Sequence, residues 1–254
     1  MEVSKLQTLY NMPEKQVKIL STRPLEQSLI ANARDANIAI DVVSFIRTET
    51  TSSDSLKQVV SNIVKLPATV VFTSMNAAEA IASELQGISP EWHIYCLGTA
   101  TKHIVKQHFP LALISGKAAN ASSLADEIIK DNVREIIFFC GNQRKDELPE
   151  KLANENIVVR EIEVYKTIPT PVKVDVDFDG ILFFSPSAVE SFFSVNTVPF
   201  NTVLFAIGST TADCIHLHSS NKIVESDKPG KQHLVEKAIK YFDKSNHTNE
   251  HTKK

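Results

Sequence analysis

Several features that would assign a protein to a class are scarce in this sequence. Its 254 residues include three cysteines, Cys96, Cys140 and Cys214, which are odd in number and widely spaced. This spacing favours buried free thiols over a disulfide framework or a metal site. No apolar run approaches the roughly 18 to 20 residues that span a bilayer. The first residues, MEVSKLQTLYNMPEKQ, have no apolar core of a signal peptide, which predicts a cytoplasmic protein that does not bind a membrane.

Positive charge is also limited. The chain has 27 Lys and Arg against 30 Asp and Glu, and its formal net charge is −3. A broad nucleic-acid surface normally needs a basic footprint, so we expect no nucleic-acid partner. An anionic small molecule remains compatible with this charge.

Familiar catalytic signatures are missing as well. The sequence has no Gly-x-Gly-x-x-Gly, no Gly-x-x-x-x-Gly-Lys loop, no Gly-x-Ser-x-Gly elbow and no His-Glu-x-x-His. His216 and His218 are two positions apart in a helical stretch, which places their rings on different faces and makes metal binding unlikely. These short motifs therefore assign no function to the chain.

Short apolar runs alternate with helical patterns of 10 to 15 residues along most of the chain. This alternation is typical of βα units that build a mainly parallel sheet, so it predicts an α/β fold. From Lys244 onward the sequence is polar and aperiodic, which predicts a disordered tail over 244–254. The predicted strands are 17–21, 70–73, 93–97, 111–114, 135–140, 180–184, 202–207 and 222–224.

Two longer segments differ from these short buried strands. NIAIDVVSFIRT (37–48) and NIVVREIEVYKT (156–167) are rich in β-branched residues and alternate polar with apolar positions. They also match each other at a constant separation of 119 positions, from Asn37 with Asn156 to Thr48 with Thr167. Such a pair of half-exposed strands is typical of a two-stranded connection between domains.

The chain also repeats itself around two serines. VVFTSMNAAEAIAS (70–83) matches ILFFSPSAVESFFS (181–194) 111 positions later, and LGTAT (97–101) matches IGSTT (207–211) at 110. One duplication explains these matches. We therefore predict that domain one comprises 1–37 plus 168–254 and domain two comprises 49–156. The linker strands are 38–48 and 157–167.

The repeated turns, where a strand ends at Ser or Thr and a helix begins, have the chemistry of an anion site. The first turn of a helix presents unpaired N–H groups and the positive end of its dipole, and a hydroxyl adds a further donor. Such turns lie at the carboxyl ends of the strands, where doubly wound sheets bind ligands, so the four would line one cleft if the domains face each other. The alternative is that these residues are ordinary helix caps. The four groups are Ser74 with Asn76, Thr99 with Thr101, Ser185 with Ser187, and Ser209 with Thr210 and Thr211.

Three other polar residues leave two interpretations open. Arg144, in CGNQRKDEL, is either a carboxylate clamp or a solvated charge, and Arg23 before Pro24 has the same two interpretations. Tyr165, on the second long strand, is either a structural side chain or part of the chemistry.

The motifs ILSTRP, VFTS, GTAT, FFCGNQRKDELPEKL, VYKT, ILFFSPSAVESFF and AIGSTTA, in this order and spacing, resemble those of the uroporphyrinogen-III synthase family. The resemblance covers about residues 17–242. It implies two Rossmann-like or flavodoxin-like parallel-sheet domains joined by a two-stranded antiparallel β ladder. It also implies a reaction in which hydroxymethylbilane loses water and closes to uroporphyrinogen III with its last pyrrole ring inverted.

The resemblance further implies roles for the residues already singled out. Tyr165 would help the hydroxyl of the substrate to leave. No cofactor or metal is implied, and we expect a monomer. The alternative is a hinge-linked, two-domain protein that binds a small molecule without catalysis. The acetate and propionate arms of the substrate would be held by Ser74, Asn76, Thr99, Thr101, Ser185, Ser187, Thr210, Thr211, Arg23 and Arg144.

Overall fold

The structure is a computed structural model that describes residues 16–228 and 230–251, with side chains described as far as residue 243. Its contacts divide the chain into two compact units. Unit 1 holds the described residues up to Arg47 and from Pro169 onward, and unit 2 runs from Thr48 to Ile168.

Strands and helices alternate along most of the described chain. In order they are β1 (Val17–Ser21), α1 (Gln27–Asp35), β2 (Ile38–Val42), β3 (Ile46–Thr50), α2 (Asp54–Ile63), β4 (Thr69–Phe72), α3 (Met75–Leu85), β5 (His93–Leu97), α4 (Gly98–His108), β6 (Leu113–Ala118), α5 (Ala121–Lys130), β7 (Glu135–Gly141), α6 (Glu147–Asn154), β8 (Val158–Pro169), β9 (Gly180–Phe183), α7 (Pro186–Phe193), β10 (Val203–Ala206), α8 (Ser209–His216), β11 (Ile223–Glu225) and α9 (Lys231–His251). None of the helices in the described residues is long and apolar enough to cross a membrane.

Two sheets carry the fold. Unit 1 has the order β11-β10-β9-β1-β2, with parallel pairing throughout. The other sheet has the order β3-β8-β7-β4-β5-β6, and its strands from β8 to β6 are parallel. The predicted α/β class with two parallel-dominated sheets is therefore confirmed.

The β3 and β8 strands form the antiparallel pair of the second sheet. The backbone N–H of Thr51 donates to the carbonyl of Val164 at 2.9 Å, and that of Thr170 donates to the carbonyl of Phe45 at 2.9 Å. The residue numbers of the bonded partners rise along one strand and fall along the other, so the two strands are antiparallel.

Each sheet is covered by helices on both faces, because successive strand residues point to opposite sides. In unit 2, Phe72 packs with residues of α2, α3 and α4, whereas its neighbour Val71 packs with residues of α5 and α6. In unit 1, Ile19 faces α1 and α9, and Leu20 faces α7 and α8. Strands buried on both faces explain why the sequence reads as short, continuous apolar runs.

The single long strand predicted over 37–48 is two strands in the structure. β2 pairs in parallel with β1 as the edge strand of unit 1, and only β3 continues into the antiparallel pair. The break between them buries Phe45, which is 0% exposed and lies 5.1 Å from the Phe192 ring, centroid to centroid. An edge strand of a parallel sheet and a ladder strand share the same half-exposed alternation, so the pattern alone did not separate them.

Three smaller differences concern element ends and the tail. The sixth and eleventh strands begin two and one residues later than predicted, at Leu113 and Ile223. α9 is assigned as far as His251, over a stretch for which the sequence predicts an irregular tail. Side chains from residue 244 onward, and residues 252–254, lie outside the described residues, so the disordered tail stays a prediction.

The three cysteines are buried free thiols, as predicted. Burial raises the pKa of the Cys140 thiol to about 11, and it raises the pKa values of Cys96 and Cys214 as well. Unfolded thiols titrate near a pKa of about 8.5. Above that pH the unfolded state has lost protons that the native state keeps, so the free energy of unfolding should fall as pH rises.

We therefore expect the free energy of unfolding of the wild type, measured by urea titration, to decline between about pH 8.5 and 11, by at most ~1.4 kcal/mol per pH unit from Cys140. In Cys140→Ala the decline should be shallower, because one of these thiols no longer titrates. The difference in slope between the two proteins removes the contribution of other alkaline groups. Parallel slopes would contradict the assignment to Cys140.

Candidate functional site

Four strand-to-helix turns lie at the carboxyl ends of parallel strands, two in each unit. In unit 2 they join β4 to α3 and β5 to α4, and in unit 1 they join β9 to α7 and β10 to α8. The duplication seen in the sequence is thus a duplication of strand ends, which is where open parallel sheets bind ligands.

Ser74 and Ser185 are the N-cap residues of α3 and α7. Their hydroxyl oxygens accept hydrogen bonds from the backbone N–H groups of Ala77 at 3.3 Å and Ala188 at 3.2 Å. Both serines are half-buried. The capping role considered from the sequence is therefore present at both positions, and each hydroxyl still has its own proton to donate.

Thr101 and Thr211 have a different environment. They lie in the first turns of α4 and α8, are 4% and 3% exposed, and their hydroxyls have no polar partner within the described part of the chain. Neither hydroxyl oxygen is among the buried oxygens that lack a partner in the described chain, so both are open to water or to a ligand.

The same two helices begin without a side-chain cap. Leu97 and Gly208 occupy their N-cap positions, and neither provides a capping side chain. A Cβ atom placed on Gly98 or Gly208 would meet nothing within 4 Å, so the backbone there is open to an incoming group. Both helix ends therefore present N–H groups that no side chain caps, next to the hydroxyl of a buried threonine.

The remaining hydroxyl and amide residues of the prediction lie beside these turns. Thr99 is exposed and its Oγ1 accepts from Nζ of Lys117 at 3.1 Å. Thr210 is exposed, and Asn76 and Ser187 are half-buried in the first turns of α3 and α7.

The two arginines are placed differently. Arg23 is exposed after β1, with its guanidinium carbon 5.8 Å from the centroid of the Phe184 ring at the end of β9. Arg144 forms ion pairs with Asp146 and Glu161, which raise its pKa. Two internal carboxylates thus already neutralise Arg144, which favours a structural role over a substrate clamp.

Tyr165 lies at the carboxyl end of β7 because β8 contains one extra residue there. Cys140 pairs with Glu163, but Gly141 pairs with Tyr165, so the register shifts by one. A bulge of this kind redirects the following side chain. Tyr165 is half-buried and packs on the same face as Val164, against the core that contains Phe72.

Gly141 leaves the space that the Tyr165 ring occupies. A Cβ on Gly141 would come within 2.6 Å of Cε2 and 2.8 Å of the phenol oxygen, so only glycine fits under this ring. The sequence alone did not connect Gly141 with Tyr165, which lies twenty-four positions later.

Asn142 is a positioning residue that the sequence analysis missed. Its backbone N–H donates to the Tyr165 carbonyl at 3.2 Å, and its side-chain oxygen accepts from the Thr167 N–H at 2.8 Å. Its amide nitrogen donates to the Thr167 carbonyl at 3.4 Å. The side chain thus replaces a strand residue, and Asn142 holds β8 at Tyr165 and at Thr167, two residues further along.

Neither a metal site nor the cavity of unit 2 coincides with the strand-to-helix turns in the part of the chain that the structure describes. No group of three or more His, Cys, Asp or Glu residues suited to a metal occurs in the part of the chain that the structure describes. A cavity of about 470 Å³ in unit 2 is lined by Thr69 and Glu135, the first residues of β4 and β7. It therefore lies at the amino ends of the strands, opposite the turns described above.

Comparisons with known proteins agree on one family. Residues 27–236 match the family model described as "Uroporphyrinogen-III synthase HemD". A uroporphyrinogen-III synthase of Saccharomyces cerevisiae is 26% identical over 202 residues, which cover 66% of this chain and 74% of the yeast protein.

Solved structures show the same fold. A mutant uroporphyrinogen III synthase from the extremely thermophilic bacterium Thermus thermophilus superposes with a TM-score of 0.63 at 14% identity, covering 89% of this chain and 98% of that one. Uroporphyrinogen-III synthetase from Helicobacter pylori gives a TM-score of 0.61 at 15% identity, covering 89% and 99%. Because the family model matches most of its length, this chain belongs to the uroporphyrinogen-III synthase family.

Proposed function

We propose that this chain converts hydroxymethylbilane to uroporphyrinogen III and water, closing the ring with inversion of the last pyrrole. As a member of its family it is a cyclising lyase of tetrapyrrole biosynthesis. The observation that carries the detailed proposal is the Tyr165 phenol, held over Gly141 at the carboxyl edge of the parallel sheet that also carries the turns of Ser74 and Thr101.

The substrate suits donors of this kind. Hydroxymethylbilane is a flexible chain with eight carboxylates, and without an enzyme it closes to the type I isomer. Catalysis therefore consists mainly of holding the chain in the geometry from which the inverting attack is faster. Backbone N–H groups and hydroxyls at helix ends bind carboxylates well without strong acids or bases.

We assign the substrate arms to the turns in both units. Thr101 and Thr211 would donate their hydroxyls to carboxylates, together with the N–H groups beside them. Ser74 and Ser185 would do so while capping their helices. Support is weaker for Arg144, whose charge is already paired.

Tyr165 is the residue proposed to act on the reacting atoms. Its phenol would donate a hydrogen bond or a proton to the leaving hydroxyl of the substrate. Replacement by Phe keeps the ring over Gly141 and removes only this donor. We expect kcat of Tyr165→Phe to fall several-fold, with an unchanged urea midpoint.

We keep the two domains, 1–37 plus 168–254 and 49–156, and add β2 to the first because it pairs with β1. The rest of the predicted segment 38–48, with 157–167, joins them. The protein is a cytoplasmic monomer. It needs no cofactor and binds no nucleic acid.

The activity can be tested by supplying hydroxymethylbilane from a coupled enzyme and oxidising the product to porphyrin. We expect the type III isomer on chromatography, in excess over the type I isomer that forms spontaneously. A product that is all type I in the presence of folded protein would refute the proposal. It would also restore the alternative, a two-domain binding protein without catalysis, which family membership does not favour.

A further inference from the structure

The start of α4 has a lysine from a neighbouring strand beside it. Lys117, on β6, donates from Nζ to Oγ1 of Thr99 in the first turn of α4 at 3.1 Å. It reaches that point because β6 lies beside β5, with Lys117 paired to Cys96 near the carboxyl end of the strand. Within the described residues, no carboxylate forms an ion pair with Lys117.

Lys102 adds a second cation near the same end. It lies in α4 directly after Thr101, is half-buried, and has no ion-pair partner within the described chain. The charges of Lys102 and Lys117 both act to lower the pKa of the Cys96 thiol, although burial has the larger, opposite effect. The carboxylate of Glu127 acts on the same thiol in the opposite direction and raises its pKa.

Apart from the Lys117 ammonium group, which donates to Thr99, the start of α4 has donors for which the structure shows no side-chain acceptor. Leu97 provides no cap for α4, and Thr101 is 4% exposed with a hydroxyl that has no polar partner in the described chain. The start of α4 thus has the Thr101 hydroxyl, N–H groups that no side chain caps, and the Lys117 ammonium group, which no carboxylate of the described chain pairs with. This is the donor set that an anionic group requires.

Unit 1 has the same turn without the charge. The repeat places Ser209 opposite Thr99 and Ala212 opposite Lys102. In the sheet, Glu225 pairs with Ala206 as Lys117 pairs with Cys96. A carboxylate therefore occupies the position in unit 1 that an ammonium group occupies in unit 2.

We propose that Lys117, with Lys102, binds a carboxylate arm of the substrate at the start of α4. In unit 1, by contrast, the start of α8 binds an arm through neutral donors alone. This inference rests on the proposed function. It adds that the start of α4, and not the matching start of α8, holds its carboxylate by charge.

The test compares three variants of the full chain. Lys117→Gln should raise KM for hydroxymethylbilane roughly three- to tenfold, since an exposed charge pair contributes modestly. Its kcat should stay within about twofold, because the lysine holds ground state and transition state alike. Lys117→Arg should restore KM. Lys106→Gln, which removes the same charge from the last turn of α4, is the matched control and should behave as wild type.

A second measurement needs no turnover. The Kd for uroporphyrin III, an octacarboxylate, should rise in Lys117→Gln, and its dependence on salt concentration should become weaker because one cation is lost. Wild type that makes no type III isomer would refute the proposed function. Wild type that makes it, with Lys117→Gln indistinguishable from Lys106→Gln in KM and Kd, would refute only the role of Lys117.

Discussion

Gly141→Ala should lower kcat several-fold, because the new methyl group displaces a side chain that must be aligned with the substrate. The added Cβ would lie 2.6 Å from Cε2 and 2.8 Å from the phenol oxygen of Tyr165, so the ring has to move. The kcat should fall to about the level of Tyr165→Phe, because a misplaced donor is lost to the reaction as a removed one is. We also expect overpacking to cost about 1–3 kcal/mol of unfolding free energy.

Two comparisons separate this explanation from general crowding. In the Tyr165→Ala background the ring is gone, so adding Gly141→Ala should change kcat little. Gly180→Ala crowds Phe205 and Phe242 at 3.0 and 3.1 Å in the core of unit 1, at the amino end of β9. It should lower the urea midpoint and leave kcat unchanged. A Gly141→Ala protein with wild-type kcat would show that the position of Tyr165 is not important for turnover.

The sequence predicted the fold well because burial leaves a direct pattern. Strands covered by helices on both faces appear as short apolar runs, and the duplication revealed which strand ends are equivalent. The sequence did not show which strand pairs with a half-exposed strand. The 37–48 segment shows this, because β2 and β3 have similar patterns but lie in different sheets.

The site was predicted less completely, for reasons visible in single residues. Thr101 and Ser74 look alike in sequence, yet one hydroxyl is unpartnered in the described chain and the other caps a helix. The relation of Tyr165 to Gly141 depends on a register shift of one residue, for which the sequence gives no signal. The environment of Arg144 depends on Glu161, seventeen residues away, and Lys117 reaches Thr99 from a neighbouring strand.

Thr211 has a hydroxyl that caps no helix, so its removal should weaken substrate binding and leave the fold intact. Thr211→Val removes a hydroxyl that has no polar partner in the described chain, and it keeps the shape of the buried side chain. The fold loses no hydrogen bond, and Val and Thr have similar helix propensities, so the urea midpoint should stay the same or rise. If the hydroxyl donates to a substrate carboxylate, KM should rise about ten- to hundredfold, as expected for a hydrogen bond to a charged group.

Thr202→Val is the matched control in the same unit. Thr202 is 1% exposed, but its hydroxyl donates to the Phe178 carbonyl at 2.8 Å. Its replacement should lower the stability by about 1–3 kcal/mol of unfolding free energy, because the buried carbonyl loses its partner. KM should not change. The two substitutions are chemically identical, so an increase in KM confined to Thr211→Val and a loss of stability confined to Thr202→Val would separate binding from folding. If Thr211→Val leaves KM unchanged, the start of α8 does not bind substrate through this hydroxyl.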